Sequence, residues 1–251
     1  MRSERILSRF GYEIPCCTQM NGEENTLIIC HGFGSSKDSP MVHALRAELP
    51  KRGIGTISFD FPAHGDSSVD GSLLRVPHCL ENLSAVEAHV LKLAPKSKLF
   101  YFGSSFGAYI LLLYLASYSH KGTKAYLRSA AVNMYGILQD WFRSGDLQWI
   151  DGPSEQLCRM DAFYGREFFI TKSFMKDLET HDLFRLYPKE VCSLFMIHGS
   201  KDSTASPQDA ARFATLSGAK LQLVKDAEHR LMEDGQMELV LQSLFCFLDV
   251  P

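Results

Sequence analysis

The stretch Leu99-Phe100-Tyr101-Phe102-Gly103-Ser104-Ser105-Phe106-Gly107-Ala108-Tyr109-Ile110-Leu111-Leu112-Leu113 decides how the chain is read. Leu99 to Phe102 is a short, wholly apolar run, as expected of a strand buried on both faces. Phe106 to Tyr118 is a longer, strongly apolar run and reads as a helix. Between them, Gly103 and Gly107 flank Ser105 two positions to either side. A serine hydroxyl is a weak nucleophile until a base removes its proton and donors stabilise the oxyanion. A sharp strand-to-helix turn exposes such a serine, and small residues on either side let the two backbones pass closely. The helix N-terminus also directs N–H groups toward developing negative charge. G-x-S-x-G alone arises by chance, and the flanking strand and helix give it meaning. Ser104 is off centre between the glycines, so Ser105 is the candidate nucleophile.

Outward from this turn the pattern alternates. Ile6 to Met20, broken by Gly11 and Pro15, reads as a peripheral hairpin. Thr26–Cys30, Ile54–Phe59 and Ala125–Val132 read as strands, and Pro40–Leu49 and Pro77–Leu93 as helices. After a break, Cys192–Ile197 and Lys220–Val224 read as strands, and Ser206–Leu216 and Glu233–Leu248 as helices. This alternation predicts an α/β fold, a mostly parallel sheet covered by helices on both faces. Residues 133–187 carry no clear strand–helix unit but many aromatics: Trp141, Phe142, Trp149, Phe163, Tyr164, Phe168 and Phe169. That segment reads as a cap inserted into one core made of residues 1–132 and 188–251. Most of its aromatics read as the core of a small subdomain, with a minority lining a pocket.

A serine presented this way needs an acid and then a histidine on loops after later strands. Cys192–Ile197 runs into His198-Gly199-Ser200-Lys201-Asp202, which makes Asp202 the candidate acid. Lys220–Val224 runs into Lys225-Asp226-Ala227-Glu228-His229, which makes His229 the candidate base. Among nine histidines, His198 reads as support for the turn that presents Asp202, and His31 as support for an early loop. Rival acids fit less well. Asp209 falls within a predicted helix, and Asp226 and Glu228 are too near His229 in sequence to reach its ring. Oxyanion donors are expected from the N–H of Phe106 and from the loop His31-Gly32-Phe33-Gly34, where Phe33 is the candidate. Gly32-Phe33-Gly34 also resembles the start of a dinucleotide fingerprint, but Lys37 stands where its third glycine belongs. No metal-ligand spacing or P-loop is present, so neither cofactor nor metal is expected.

With 251 residues, 45% of them hydrophobic, the chain can bury a large core. A net charge of −3 gives no electrostatic case for nucleic acid or an anionic membrane as partner. The longest apolar run, Ala108–Ala116, is shorter than the roughly 20 residues a membrane helix needs, and no signal-peptide pattern follows Met1. Seven scattered cysteines suit free thiols, hence a cytoplasmic location. The expected partner is a small-molecule ester. A homodimer is compatible with the sequence.

HGFG, the segment Phe59-Asp60-Phe61-Pro62-Ala63-His64-Gly65-Asp66-Ser67, the turn GSSFG, HGSKD and the final Glu228-His229 together resemble the α/β-hydrolase superfamily. Within it they are most similar to bacterial cinnamoyl/feruloyl esterase-like hydrolases, close to the serine aminopeptidase-type and monoglyceride-lipase-like branch. The resemblance spans nearly the whole chain. It implies that Ser105, Asp202 and His229 match the catalytic triad and Phe33 and Phe106 the oxyanion donors. It also implies a short cap before the acid-bearing strand. The turn departs from the usual G-H-S-x-G: Ser104 and Phe106 take the flanking places, which leaves the backbone donor intact and alters the pocket wall.

Three functions are compatible with these residues. The first is hydrolysis of a carboxylic ester, acyl or hydroxycinnamoyl, through an acyl-enzyme. The second is amide or peptide hydrolysis, for which Asp140, Asp146, Asp151, Glu155 or Asp161 would hold a substrate amino group. The third is non-catalytic ligand binding, against which a complete triad argues.

Overall fold

The computed structural model describes residues 1–161, 166–188, 191–233 and 235–250. Phe163 and Tyr164 lie outside them. The elements are β1 (Arg2–Leu7), β2 (Glu13–Gln19), β3 (Asn25–Cys30), α1 (Pro40–Glu48), β4 (Ile54–Phe59), α2 (Val76–Leu93), β5 (Lys98–Ser104), α3 (Phe106–Ser117) and β6 (Gly122–Arg128). Then follow α4 (Met134–Ser144), β7 (Leu157–Met160), β8 (Phe168–Thr171), α5 (Lys172–Thr180), α6 (Leu183–Leu186), β9 (Ser193–Gly199), α7 (Pro207–Ser217), β10 (Lys220–Val224) and α8 (Gln236–Leu248).

Eight strands form one sheet in the order β1-β2-β4-β3-β5-β6-β9-β10. β1 and β2 pair as an antiparallel hairpin, and β2 joins β4 antiparallel; every other pair is parallel. β3 and β4, the continuous apolar runs, are almost wholly buried, because helices cover both faces. α1 and α8 pack one face through Met41, Val42, Leu45, Val240 and Leu244. α2, α3 and α7 pack the other through Leu83, Val86, Ile110 and Phe213.

Three sequence readings shift. The strand expected over Ala125–Val132 is β6, which begins earlier at Gly122 and ends at Arg128. The chain bends out of the sheet at Ser129, whose φ is +47°, and the apolar residues after it are buried as a loop rather than a strand. The last helix starts at Gln236 rather than Glu233, behind Gly235 in left-handed backbone. The segment from 133 to 187 does contain regular elements. Asn133 caps α4 by accepting from Gly136 N–H at 3.1 Å, Gly145 ends it at φ +85°, and β7 and β8 make a separate two-stranded sheet.

This segment is tied to the rest by a specific clamp. Arg75 donates from Nε and Nη2 to the Asp177 carboxylate at 2.6 and 2.7 Å, and Val76 N–H donates to the same group at 3.1 Å. Asp177, on α5, thereby caps α2, whose own N-cap residue Arg75 supplies no side-chain cap. Phe168, Ile170 and Phe174 extend the α2–α3 core. Asp177→Ala leaves the Val76 N–H without its acceptor and Arg75 without its anion. A loss of about 2 kcal/mol is expected, a fall in Tm of roughly 4–8 °C by calorimetry.

Candidate active site

The parallel register brings the carboxyl ends of β3, β5, β9 and β10 to one edge of the sheet. Cys30 is level with Gly103, Ser104 with Arg128, and Val224 with Gly199. The loops leaving these ends carry the residues singled out from the sequence.

Ser105 has φ +52° and ψ −114°, backbone that non-glycine residues seldom adopt. Its N–H donates to Arg128 carbonyl at 2.9 Å, and its carbonyl accepts from Ala131 and from the first turn of α3. The flanking glycines are sterically required: a Cβ on Gly103 would meet Ala108 Cα at 2.6 Å, and one on Gly107 would meet His31 carbonyl at 2.3 Å.

Ser105 Oγ donates to His229 Nε2 at 3.0 Å, and His229 Nδ1 donates to Asp202 Oδ2 at 2.8 Å. The Asp202 carboxylate is fully enclosed. Its Oδ1 accepts from Thr204 and Ala205 N–H at 3.0 and 2.8 Å. Burial alone would push this carboxyl up, but hydrogen bonds from His198 and His229, with the Ala205 N–H, hold it below the ordinary carboxylate range. The rival acids are engaged elsewhere: Asp209 with Asn133, Asp226 with Lys201, Glu228 with Ser203.

His198 does more than support a turn. Its Nε2 lies 3.0 Å from Asp202 Oδ2 and 2.9 Å from Ala205 carbonyl, so one N–H is shared between two acceptors. Two histidines therefore donate to one oxygen of Asp202. The spacing His198 to Asp202 was the signal available in the sequence.

The early loop is held from behind. His31 Nδ1 donates to Gly32 carbonyl at 2.7 Å and Nε2 accepts from Phe61 N–H at 3.1 Å. Asp60 accepts from Lys37 and Asp66 N–H at 2.7 and 2.9 Å. Phe33 and Phe106 rings meet edge to face, 5.4 Å between centroids. As the first residue of α3, Phe106 has an N–H with no intrahelical partner.

Burial pushes His31 down to about 4 and His64, beside it, to about 3. Both start near 6.5 in an unfolded chain, so protonation favours unfolding. The stability is present above about pH 6.5 and is lost as pH falls through the folded values. Between pH 7 and 4 each contributes a loss of about 3 kcal/mol. Denaturant unfolding across that range should show it, and His64→Phe, placed among Phe33, Phe106 and Phe168, should flatten the slope by His64's share.

A cavity of about 340 Å³ opens at Ser105 and His229. Trp141, Leu147 and Met160 reach it from residues 133–187, and Phe33 and Met41 from the loop after β3 and from α1. Of the five carboxylates considered for an amino group, Asp146 and Asp161 line it. Asp140 pairs with Arg143, and Glu155 accepts from Ser173 N–H. Phe142 and Trp149 stack on each other at 4.5 Å beside a separate depression, with Lys172 over Trp149. Among the described residues no His, Cys, Asp or Glu cluster could hold a metal, and no helix is long and apolar enough to cross a membrane. All seven cysteines are unbridged.

No curated protein matches the sequence significantly. Among solved structures, the chain is similar to alpha/beta hydrolase domain-containing protein 10 from mouse (16% identity, 99% of each chain, TM-score 0.75). It is also similar to Est1E from Butyrivibrio proteoclasticus with ferulic acid bound (19% identity, 98% of this chain and 99% of that one, TM-score 0.76). A third likeness is to the esterase domain of a Rhodothermus marinus protein (16% identity, 98% and 96%, TM-score 0.72). At these identities the likeness is one of fold. The family model described as alpha/beta hydrolase fold matches residues 25–177, which include HGFG and the Ser105 turn. On that match, which spans more than half of the chain, the protein belongs to the α/β-hydrolase fold family, and its eight-stranded sheet agrees.

Proposed function

We propose that the protein is a serine hydrolase that cleaves a carboxylic ester through an acyl-enzyme. The observation that carries this is the unbroken line of contacts from Ser105 Oγ through His229 to the buried Asp202 carboxylate. His229 Nε2 takes the Ser105 proton as Oγ attacks the ester carbonyl, and the N–H groups of Phe33 and Phe106 receive the oxyanion. Asp202 keeps the Nδ1–H tautomer and balances the imidazolium. His229 then passes its proton to the departing alcohol oxygen, and water releases the acid by the same steps in reverse order. Residues 133–187 act as a cap, with Trp141, Leu147 and Met160 forming the roof of the cavity. An apolar roof suits an acyl or aryl group, and the fold likeness to Est1E adds hydroxycinnamoyl esters to that class.

Asp146 and Asp161 on the cavity wall favour a second reading, hydrolysis of an aminoacyl amide whose ammonium they would meet. A fluorophosphonate probe followed by nitrophenyl esters, hydroxycinnamate esters and aminoacyl anilides separates the two. Labelling with ester turnover well above anilide turnover is expected. Anilide turnover in excess transfers the assignment to amides, and absence of labelling removes the nucleophile.

A further inference from the structure

Met41, Val42, Phe102 and Met232 give the cavity an apolar stretch of wall on the side of α1 and α8. A polar pair stands among these side chains. Arg128 Nη1 donates to Ser104 Oγ at 2.6 Å, and both residues line the cavity at 8% exposure. The pair follows from the register, which sets Ser104 on β5 level with Arg128 on β6. A hydroxyl has two acceptor positions and one proton. Arg128 occupies an acceptor position, and among the described residues nothing accepts the Ser104 proton. A donated N–H also polarises the oxygen it reaches and makes that hydroxyl a better donor. The structure thus holds a buried, activated O–H donor at the cavity wall, one residue from Ser105.

We propose that Ser104 is a specificity residue whose O–H donates to an acceptor oxygen of the substrate, carried close to the scissile carbonyl. This rests on Ser105 being the nucleophile, as argued under Proposed function. Consecutive Cα atoms are about 3.8 Å apart and both serines line one cavity, so a single substrate can meet both hydroxyls. The substrate class is an ester with an ether, hydroxyl or keto oxygen a few atoms from the reacting carbon.

Paired phosphonyl fluorides test this, carrying either a methoxyethyl or an isosteric butyl arm, on phosphorus in one pair and on the ester oxygen in the other. Ser105 Oγ attacks phosphorus, an O–P bond forms as P–F breaks, fluoride leaves, and the serine proton passes to His229. Labelling rates are read by intact mass. In one of the pairs the methoxyethyl reagent should label about tenfold faster than its butyl partner. Ser104→Ala should bring that ratio to within about twofold, and Ser104→Thr, which keeps the O–H, should restore part of it. Intrinsic reagent reactivity and any common change at the turn cancel in the comparison. Ratios near one in both wild-type pairs, or a tenfold ratio that survives Ser104→Ala, overturn the proposal, as does failure of every reagent to label. Ester assays run in parallel keep the two readings apart. Oxygen preference without ester turnover removes the ester reading alone, and turnover without preference removes this one alone.

Discussion

Replacing Ser105 by alanine is expected to lower ester turnover by roughly a hundred-thousandfold to a millionfold while the protein still folds. Alanine keeps the Cβ and removes only Oγ, so the contact to His229 at 3.0 Å goes and the turn stays. The backbone at Ser105, φ +52° and ψ −114°, is as strained with alanine as with serine. Ser105→Gly separates the two properties. It should be equally inactive yet more stable than the alanine variant by about 1–3 kcal/mol, because glycine adopts such backbone freely. Turnover retained in either variant would remove Ser105 from the chemistry. Equal melting temperatures would show that the turn stores no strain.

Asp202→Asn is expected to reduce kcat by roughly ten-thousandfold, the scale seen when such an acid is made neutral. The reason is specific to this carboxylate: every group around it is a donor. Oδ2 takes His229 and His198, and Oδ1 takes Thr204 and Ala205 N–H. An asparagine must turn its NH2 toward one of these sets. Toward His229, it forces the imidazole to accept at Nδ1, which leaves Nε2 protonated and unable to take the serine proton. Toward Thr204 and Ala205, it sets donor against donor in a buried turn, so stability falls as well. Single-turnover kinetics with a nitrophenyl ester and a parallel melt distinguish these outcomes. A loss of less than tenfold would show that another acid serves His229.

The parts of the site that could be read from sequence are those that sit beside regular elements. Ser105 lies between a strand and a helix, and Asp202 and His229 follow the next strands in turn, so local patterns carry their positions. The helices α4 and α5 are each amphipathic and capped by a side chain, Asn133 and Thr171, but the strands between them pair only with each other, so no strand–helix unit of the main sheet announces them. The end of β6 is not legible in the sequence because Ala130 to Val132 is as buried as a strand would be. Contacts such as Arg75 with Asp177, 102 residues apart, and Ser104 with Arg128 depend on register between distant segments, which no local pattern records.

The parallel neighbours β6 and β9 are separated in the chain by the whole of α4 to α6, and Ser105 meets His229 across 124 residues. Synthesis runs at roughly 5–20 residues per second, so the serine turn emerges on the order of ten seconds before His229. During that interval Ser105 has no His229 to contact. The nascent chain also carries β6 with one hydrogen-bonding edge open, a template for wrong pairing until β9 arrives. That edge is filled only by β9, and the Ser105–His229 contact forms only once β10 has delivered the loop that carries His229.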